Sequence, residues 1–281
     1  MGKIYAFQSP IHGQCGTTAT MVAAAYALQK KGCSVCLVHS QSSYADLENL
    51  FYSKETNGDT FFDGIGLDGL CYSIKAQELN RKDFDRAMIQ LDDNLFLLPS
   101  VAKVLDEERK SIVRYILTEK LPLFYDYVFV DTGADKSEMG ASIREVADVS
   151  VCVITQSRTA LKEEYLPQIS ENTILLCGNY NDERKLNLKA LSKRLKNLPV
   201  FAVPYCTEYA DAIANSTVKQ FFLSYENLLK PEKTKGRGLN AIRQRLAPPK
   251  EETLNFFEKL PELNHAFVPD RKMKSEKKEF A

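Results

Sequence analysis

The residues with the most chemistry to offer lie in the turn Ser9-Pro10-Ile11-His12-Gly13-Gln14-Cys15-Gly16-Thr17-Thr18, which joins an apolar run to a helical pattern. Gly13 and Gly16 let the backbone curl until successive N–H groups face inward, and the positive end of a following helix adds to such an anion site. The whole stretch from His12 to Thr18 is therefore a candidate phosphate cradle, although glycine-rich strand-to-helix turns are also common without a ligand. A hydroxyl from Thr17 or Thr18, at the start of the helix, would suit a magnesium ion carried by the phosphates. Asp131 follows Tyr127-Val128-Phe129-Val130, and a carboxylate after four apolar residues needs a partner or a cation, because burying it bare is costly. A turn or helix-cap aspartate is the plainer alternative. Asn179 ends another apolar run and offers a donor and an acceptor to a base edge, or is simply a turn asparagine. The cradle lacks positive charge: no lysine or arginine stands between Ser9 and Thr20.

These groups converge only if the surrounding elements share one edge. Short apolar runs near 3–9, 34–39, 94–98, 126–132, 149–155, 173–178 and 199–203 alternate with helical periodicity at 18–31, 104–121, 137–147, 183–195 and 207–229. That alternation predicts an α/β fold, a doubly wound and mainly parallel sheet flanked by helices. Right-handed crossovers then bring the loops that follow the strands to one ligand edge. The stretch 53–93 reads as loops and short helices. From Lys230 the composition becomes basic and rich in glycine and proline, which divides the chain into a main domain at 1–229, carrying the candidate phosphate cradle, and a C-terminal part at 230–281. That part comprises a basic linker, short helical patterns at 239–246 and 251–259, and a charged, disordered end. Leu239, Ile242 and Leu246 form a narrow apolar stripe, a weak membrane anchor. Phe256, Phe257, Leu260 and Leu263 are better suited to packing back on the body.

Composition narrows the function classes. The chain has 281 residues, 44% of them hydrophobic and 26% charged, with 37 basic and 37 acidic side chains. A folded protein without global affinity for polyanions is expected. Seven cysteines, an odd number mostly within apolar runs, point to buried thiols and a reducing cytoplasm. Cys33 and Cys36 have no second pair at zinc spacing. No apolar stretch approaches membrane-spanning length, and no signal pattern opens the chain.

Over residues 3–225 the sequence resembles the ParA/MinD group of P-loop ATPases. The group's loop reads Lys-Gly-Gly-x-Gly-Lys-Thr/Ser-Thr. Aligned without gaps from Ser9-Pro10, its two lysines fall on Ile11 and Gly16. With one residue inserted, Gly16 becomes the last loop glycine, Thr17 takes the second lysine's place and Thr18 is left for magnesium. Tyr125-Asp126-Tyr127-Val128-Phe129-Val130-Asp131-Thr132 resembles the segment whose aspartate holds a magnesium-bound water. Asn179, Pro204 and Tyr205 match the positions that read the adenine side. The group ends its second strand with Asp-x-Asp, where this chain has His39 and Gln41. Gln41 could orient a water and His39 could meet phosphate when protonated, though a plain polar residue at a strand end is the simpler account of His39. Lys103 and Lys136 are candidates for the missing charge.

The resemblance implies binding of ATP or ADP with Mg2+, weak or absent hydrolysis, and a homodimer. Loss of the loop lysine is similar to the TadZ/CpaE-like proteins of pilus loci. It implies a cytoplasmic scaffold, recruited to the membrane or a cell pole, that helps a pilus, secretion or conjugation machine assemble. The alternative is a plasmid or mobile-element partitioning ATPase that dimerises on ATP and binds DNA; Arg184, Lys185, Lys189, Lys193, Arg194 and Lys196 would be its basic stripe, if they are more than a solvated helix face.

Overall fold

The computed structural model of the chain describes residues 1–40, 46–53, 65–76, 78–100, 106–134, 137–159, 161–162, 166, 169–229 and 250–267. Among them, the strands are β1 (Lys3–Gln8), β2 (Val35–His39), β3 (Ile89–Asp92), β4 (Leu95–Leu97), β5 (Tyr127–Gly133), β6 (Val149–Ile154), β7 (Thr173–Tyr180) and β8 (Val200–Pro204). They form one sheet in the order β3-β4-β2-β5-β1-β6-β7-β8, parallel throughout except for the β3–β4 pair at one edge. This is the expected doubly wound architecture with one strand more than the apolar runs suggested. β3 and β4 are joined by the tight turn Asp93-Asn94 within and just after the stretch read as irregular.

The helices are α1 (Thr17–Gln29), α2 (Asp46–Asn49), α3 (Gly66–Ala76), α4 (Arg81–Ala87), α5 (Glu107–Tyr115), α6 (Glu138–Val146), α7 (Leu188–Arg194), α8 (Thr207–Ala214), α9 (Val218–Leu229), α10 (Glu251–Lys259) and α11 (Asn264–Phe267). The single helical pattern expected at 207–229 is two helices. Ser216 between them takes a left-handed φ of 58°, a conformation that interrupts a right-handed helix. Helix α7 is shorter than its pattern because Asn187 caps it, its side chain accepting from the Ala190 N–H at 3.0 Å.

Strand alternation sends side chains to both faces of the sheet. Tyr5 and Phe7 of β1 join the cluster under α1, whereas Ile4 and Ala6 join the opposite cluster under α3 to α6. Helix α1 is alanine-rich and buried continuously from Thr20 to Gln29, as befits a helix enclosed by the sheet and by other helices. Part of that enclosure comes from the C-terminal segment. Phe256, Leu260, Leu263 and Phe267 are buried in the same cluster as Tyr5, Phe7 and Phe129. The Phe267 carbonyl accepts from the Tyr5 hydroxyl at 3.3 Å. Residues 230–249 and 268–281, which include the pattern at 239–246, lie outside the described residues. Among the described residues no helix is long and apolar enough to cross a membrane.

Candidate functional site

The centre of the sheet positions the site. β1 lies between β5 and β6, and its C-terminal end opens into the glycine-bearing turn. Gly13 (φ 69°) and Gly16 (φ 64°) both adopt the left-handed conformation that glycine takes without steric penalty. Gly16 is the N-cap of α1 and provides no side-chain cap, so the first N–H groups of the helix are left for another acceptor. His12, Gly13 and Gln14 are exposed at the crest of the turn, and Cys15 is buried beneath it. Burial pushes the Cys15 thiol pKa up, against a smaller lowering by a hydrogen bond with the Ile11 backbone.

Asp131 is 3% exposed, and both its oxygens are engaged. The Thr18 hydroxyl donates to Oδ2 at 2.6 Å and the Gly133 N–H donates to Oδ1 at 2.9 Å. A register shift makes this arrangement possible: Phe7 pairs with Asp131 but Gln8 pairs with Gly133, leaving Thr132 to donate its hydroxyl to the Phe7 carbonyl at 2.8 Å. Of the two threonines singled out by sequence, Thr18 therefore reaches the aspartate. Thr17 lines the cleft in front of it.

This cleft has a volume of about 360 Å3, and His12, Gly13, Gly16, Thr17, Thr18 and Asp131 all line it. Asn49 at the end of α2, Leu50 just after it and Ile213 of α8 also line it. No lysine or arginine occurs among its described lining residues. The candidate cations Lys103 and Lys136, and Gln41, lie outside the described residues. A hydroxyl and a single carboxylate suit a Mg2+ ion that takes most of its ligands from phosphates and water. Among the described residues there is no group of three His, Cys, Asp or Glu able to hold a metal by itself.

Asn179 stands against the turn: a Cβ on Gly16 would lie 3.2 Å from its Nδ2. Its backbone is left-handed, φ 50°, and its side chain is exposed. Pro204 and Tyr205 are placed differently. They line a neighbouring cleft of about 310 Å3, together with Tyr180 and α10 residues, and do not line the cleft in front of Thr18.

His39 ends β2 opposite Asp131, but its ring is 5% exposed and its Nε2 meets both Glu48 oxygens, at 3.0 and 2.9 Å. It is not among the residues that line the cleft. Burial alone would disfavour the charged form of Glu48. The adjacent His39 ring, by charge and by hydrogen bond, and then the Ser100 N–H, donating at 2.8 Å, outweigh it and hold the Glu48 pKa below the usual carboxylate range. Sequence reasoning missed Glu48. The apolar residues Leu47 and Leu50 around Glu48 were the available signal of a buried turn. Gly178 was also missed: it brings β7 so close to the turn that a Cβ there would lie 2.7 Å from the Cys15 carbonyl oxygen.

No protein-family model matches the chain and no curated protein matches it. Solved structures do. A ParA family ATPase from Chlorobium tepidum TLS superposes with a TM-score of 0.61 at 18% identity, over 80% of this chain and 94% of that one. A putative plasmid partition protein from Borrelia burgdorferi B31 bound to AMPPNP gives 0.56 at 16%, over 92% and 99%. The septum site-determining protein MinD from Pyrococcus horikoshii OT3, complexed with Mg-ADP, gives 0.53 at 15%, over 88% and 100%. At these identities the likeness is one of architecture, and the chain has the fold shared by the ParA- and MinD-type ATPases.

Proposed function

We propose that the protein is a nucleotide-binding scaffold of the ParA/MinD type that holds ATP or ADP with Mg2+ in front of α1 and turns it over slowly or not at all. The observation that carries this reading is the Thr18–Asp131 contact at the mouth of an uncapped helix, in a cleft whose described lining has no lysine or arginine. The contact favours the register with one inserted residue: Gly16 closes the loop, Thr17 occupies the lysine's place and Thr18 the magnesium position. Thr18 and Asp131 would hold the ion and its water, and the ion would neutralise phosphate charge. The N–H groups of the turn would orient the phosphates. Without a lysine, little in the chain's described residues offsets charge that develops during phosphoryl transfer, and such groups are each worth several powers of ten in rate. His39, engaged by Glu48, is poorly placed to serve a water. The AMPPNP and Mg-ADP in two solved structures of this fold support the choice of ligand.

We further assign the scaffold to a pilus or secretion machine, as a cytoplasmic homodimer recruited to the membrane or a pole. The test is calorimetric titration of ATP and ADP with and without Mg2+, followed by a phosphate-release assay. Asp131→Asn retains an acceptor for Gly133 but lacks the charge, so any nucleotide affinity should lose its magnesium dependence. Undiminished magnesium dependence, or brisk turnover by the natural chain, would refute this reading.

One observation favours the partitioning alternative. Arg184, Lys185, Lys189, Lys193, Arg194 and Lys196 are all exposed around α7, and no acidic residue occurs from 184 to 207. A surface of this kind suits a phosphate backbone. Duplex DNA affinity that falls steeply with salt and is lost on Lys189→Glu/Lys193→Glu would favour it, and absence of binding near physiological salt would exclude it.

A further inference from the structure

Helix α8, which walls the cleft in front of Thr18, owes its own start to the C-terminal segment. Its N-cap is Cys206, whose sulfur accepts from the Tyr209 N–H at 3.4 Å. A thiol is a weak acceptor beside the hydroxyl or carboxylate that usually fills this place. The carboxylate comes from α10 instead. Glu252 accepts from the Thr207 N–H at 2.7 Å and from the Thr207 hydroxyl at 3.0 Å, bringing negative charge to the positive end of α8. The Thr253 hydroxyl donates to Glu208 at 2.7 Å, and the Phe256 ring lies 5.1 Å from that of Tyr209.

From the same first turn, α8 reaches the site. The Tyr209 hydroxyl donates to the Ala19 carbonyl at 2.8 Å, and Ala19 lines the cleft beside Thr18. Ile213, four residues on and therefore on the same side of α8, lines the cleft as well. At the start of α9 the Val218 N–H donates at 3.2 Å to the carbonyl of Leu50, another lining residue. These points of the cleft wall are held by α8 and α9, and the start of α8 is held by α10.

We infer that Glu252 and Tyr209 are positioning residues of the cleft, joined in one relay: Glu252 sets the first turn of α8, and Tyr209 in that turn sets the first turn of α1. Neither is among the residues that line the cleft. The C-terminal segment thereby becomes part of the hold on a ligand at the α1 turn, and by linkage such a ligand tightens the α10 contact by the same factor. The inference rests on the nucleotide reading given above only for the identity of that ligand.

The experiment measures Mg-ADP affinity by calorimetry and hydrogen exchange of residues 17–23 on the full chain. It is run well below the melting temperature, where a loss of global stability alone leaves the dissociation constant unchanged. Tyr209→Phe keeps the buried ring and removes only the hydroxyl, so it should weaken ADP roughly three- to tenfold, the size of one net hydrogen bond. Glu252→Ala should weaken it by a similar factor. Glu252→Gln, whose amide oxygen still accepts from Thr207, should weaken it by less than about twofold. The double variant Glu252→Ala/Tyr209→Phe should lose no more than the larger single factor, because the two residues act in series. Exchange at residues 17–23 should quicken in Glu252→Ala and in Tyr209→Phe, with or without ligand. Single factors that multiply in the double variant would overturn the relay. So would exchange that stays at the natural rate in either single variant, or ADP affinity that stays within about twofold in Glu252→Ala or Tyr209→Phe. If ADP does not bind while exchange quickens in both single variants, the nucleotide reading falls and the relay stands.

Discussion

Replacing Gly178 with alanine tests the geometry of the turn between β1 and α1, the proposed phosphate cradle, from its unexposed side. The added methyl would sit 2.5 Å from the Thr20 hydroxyl, 2.7 Å from the Cys15 carbonyl oxygen and 3.4 Å from a Val153 methyl. The first two contacts involve the N-terminal turn of α1 and the backbone of the cradle, neither of which is the free end of a long side chain. Relief requires one of them to retreat by roughly half an ångström or more. Overpacking of this kind costs about 1–3 kcal/mol, a fall of several degrees in melting temperature for a chain of this size. The cradle itself is displaced, and binding constellations tolerate only about 0.5 Å, so ADP affinity should fall at least about tenfold. Gly32→Ala is the control. Gly32 also has a left-handed φ, 81°, with nothing within 4 Å of its missing Cβ, so that variant is strained at the far end of α1 without touching the turn. Thermal melts with and without Mg-ADP distinguish the two. Both variants should melt below the natural chain, and only Gly178→Ala should lose the ADP-induced rise. A Gly178→Ala protein with the natural melting temperature and the natural ADP shift would show that β7 does not abut the cradle.

Three further outcomes are expected. The Glu48 pKa is depressed in the folded chain, so its contribution to stability is complete above the unfolded carboxylate value and is lost as pH falls through the folded one. Urea midpoints should therefore drop below about pH 5, and Glu48→Gln, less stable at neutral pH, should show a shallower acid slope; parallel slopes would mean that Glu48 does not titrate as described. Phe256→Ala should cost about 3–5 kcal/mol, because its ring is fully buried against Tyr209, Phe221 and Phe222; a change under about 1 kcal/mol would show that the C-terminal segment is not part of the core. Of the seven cysteines only Cys33 is not buried, so a native-state alkylation should label Cys33 first and the others after unfolding; rapid labelling of Cys15 would indicate that the turn opens.

Much of the architecture was legible because buried parallel strands are short apolar runs, and seven of them stand out between helical patterns. β3 was not, since Ile89-Gln90-Leu91-Asp92 is a half-buried edge strand whose alternation spans only four residues. The break between α8 and α9 hangs on the backbone of Ser216, a residue type with no strong preference for the left-handed region. At the site, the turn and Asp131 could be named individually because glycine, threonine and a strand-terminal carboxylate each have a local reason to be there. Which threonine meets Asp131 depends on a one-residue bulge between β1 and β5, and nothing in either strand alone announces it. Glu48 was hidden for a related reason, because its partner His39 belongs to another element. Asn179 was legible by type, but its contact with Gly16 depends on how closely β7 approaches the turn.

The hydrogen bond from Tyr5 to the Phe267 carbonyl joins residues 262 positions apart, and the ring of Phe267 packs on the aromatic face of the first strand, against Tyr5 and Phe7. During synthesis at about 5–20 residues per second, Tyr5 and Phe7 would wait on the order of tens of seconds for that cover. Throughout that interval the nascent chain carries an uncovered aromatic surface on β1, which is where a chaperone would be expected to engage it. A message truncated or stalled before residue 250 would release a chain with this surface still open.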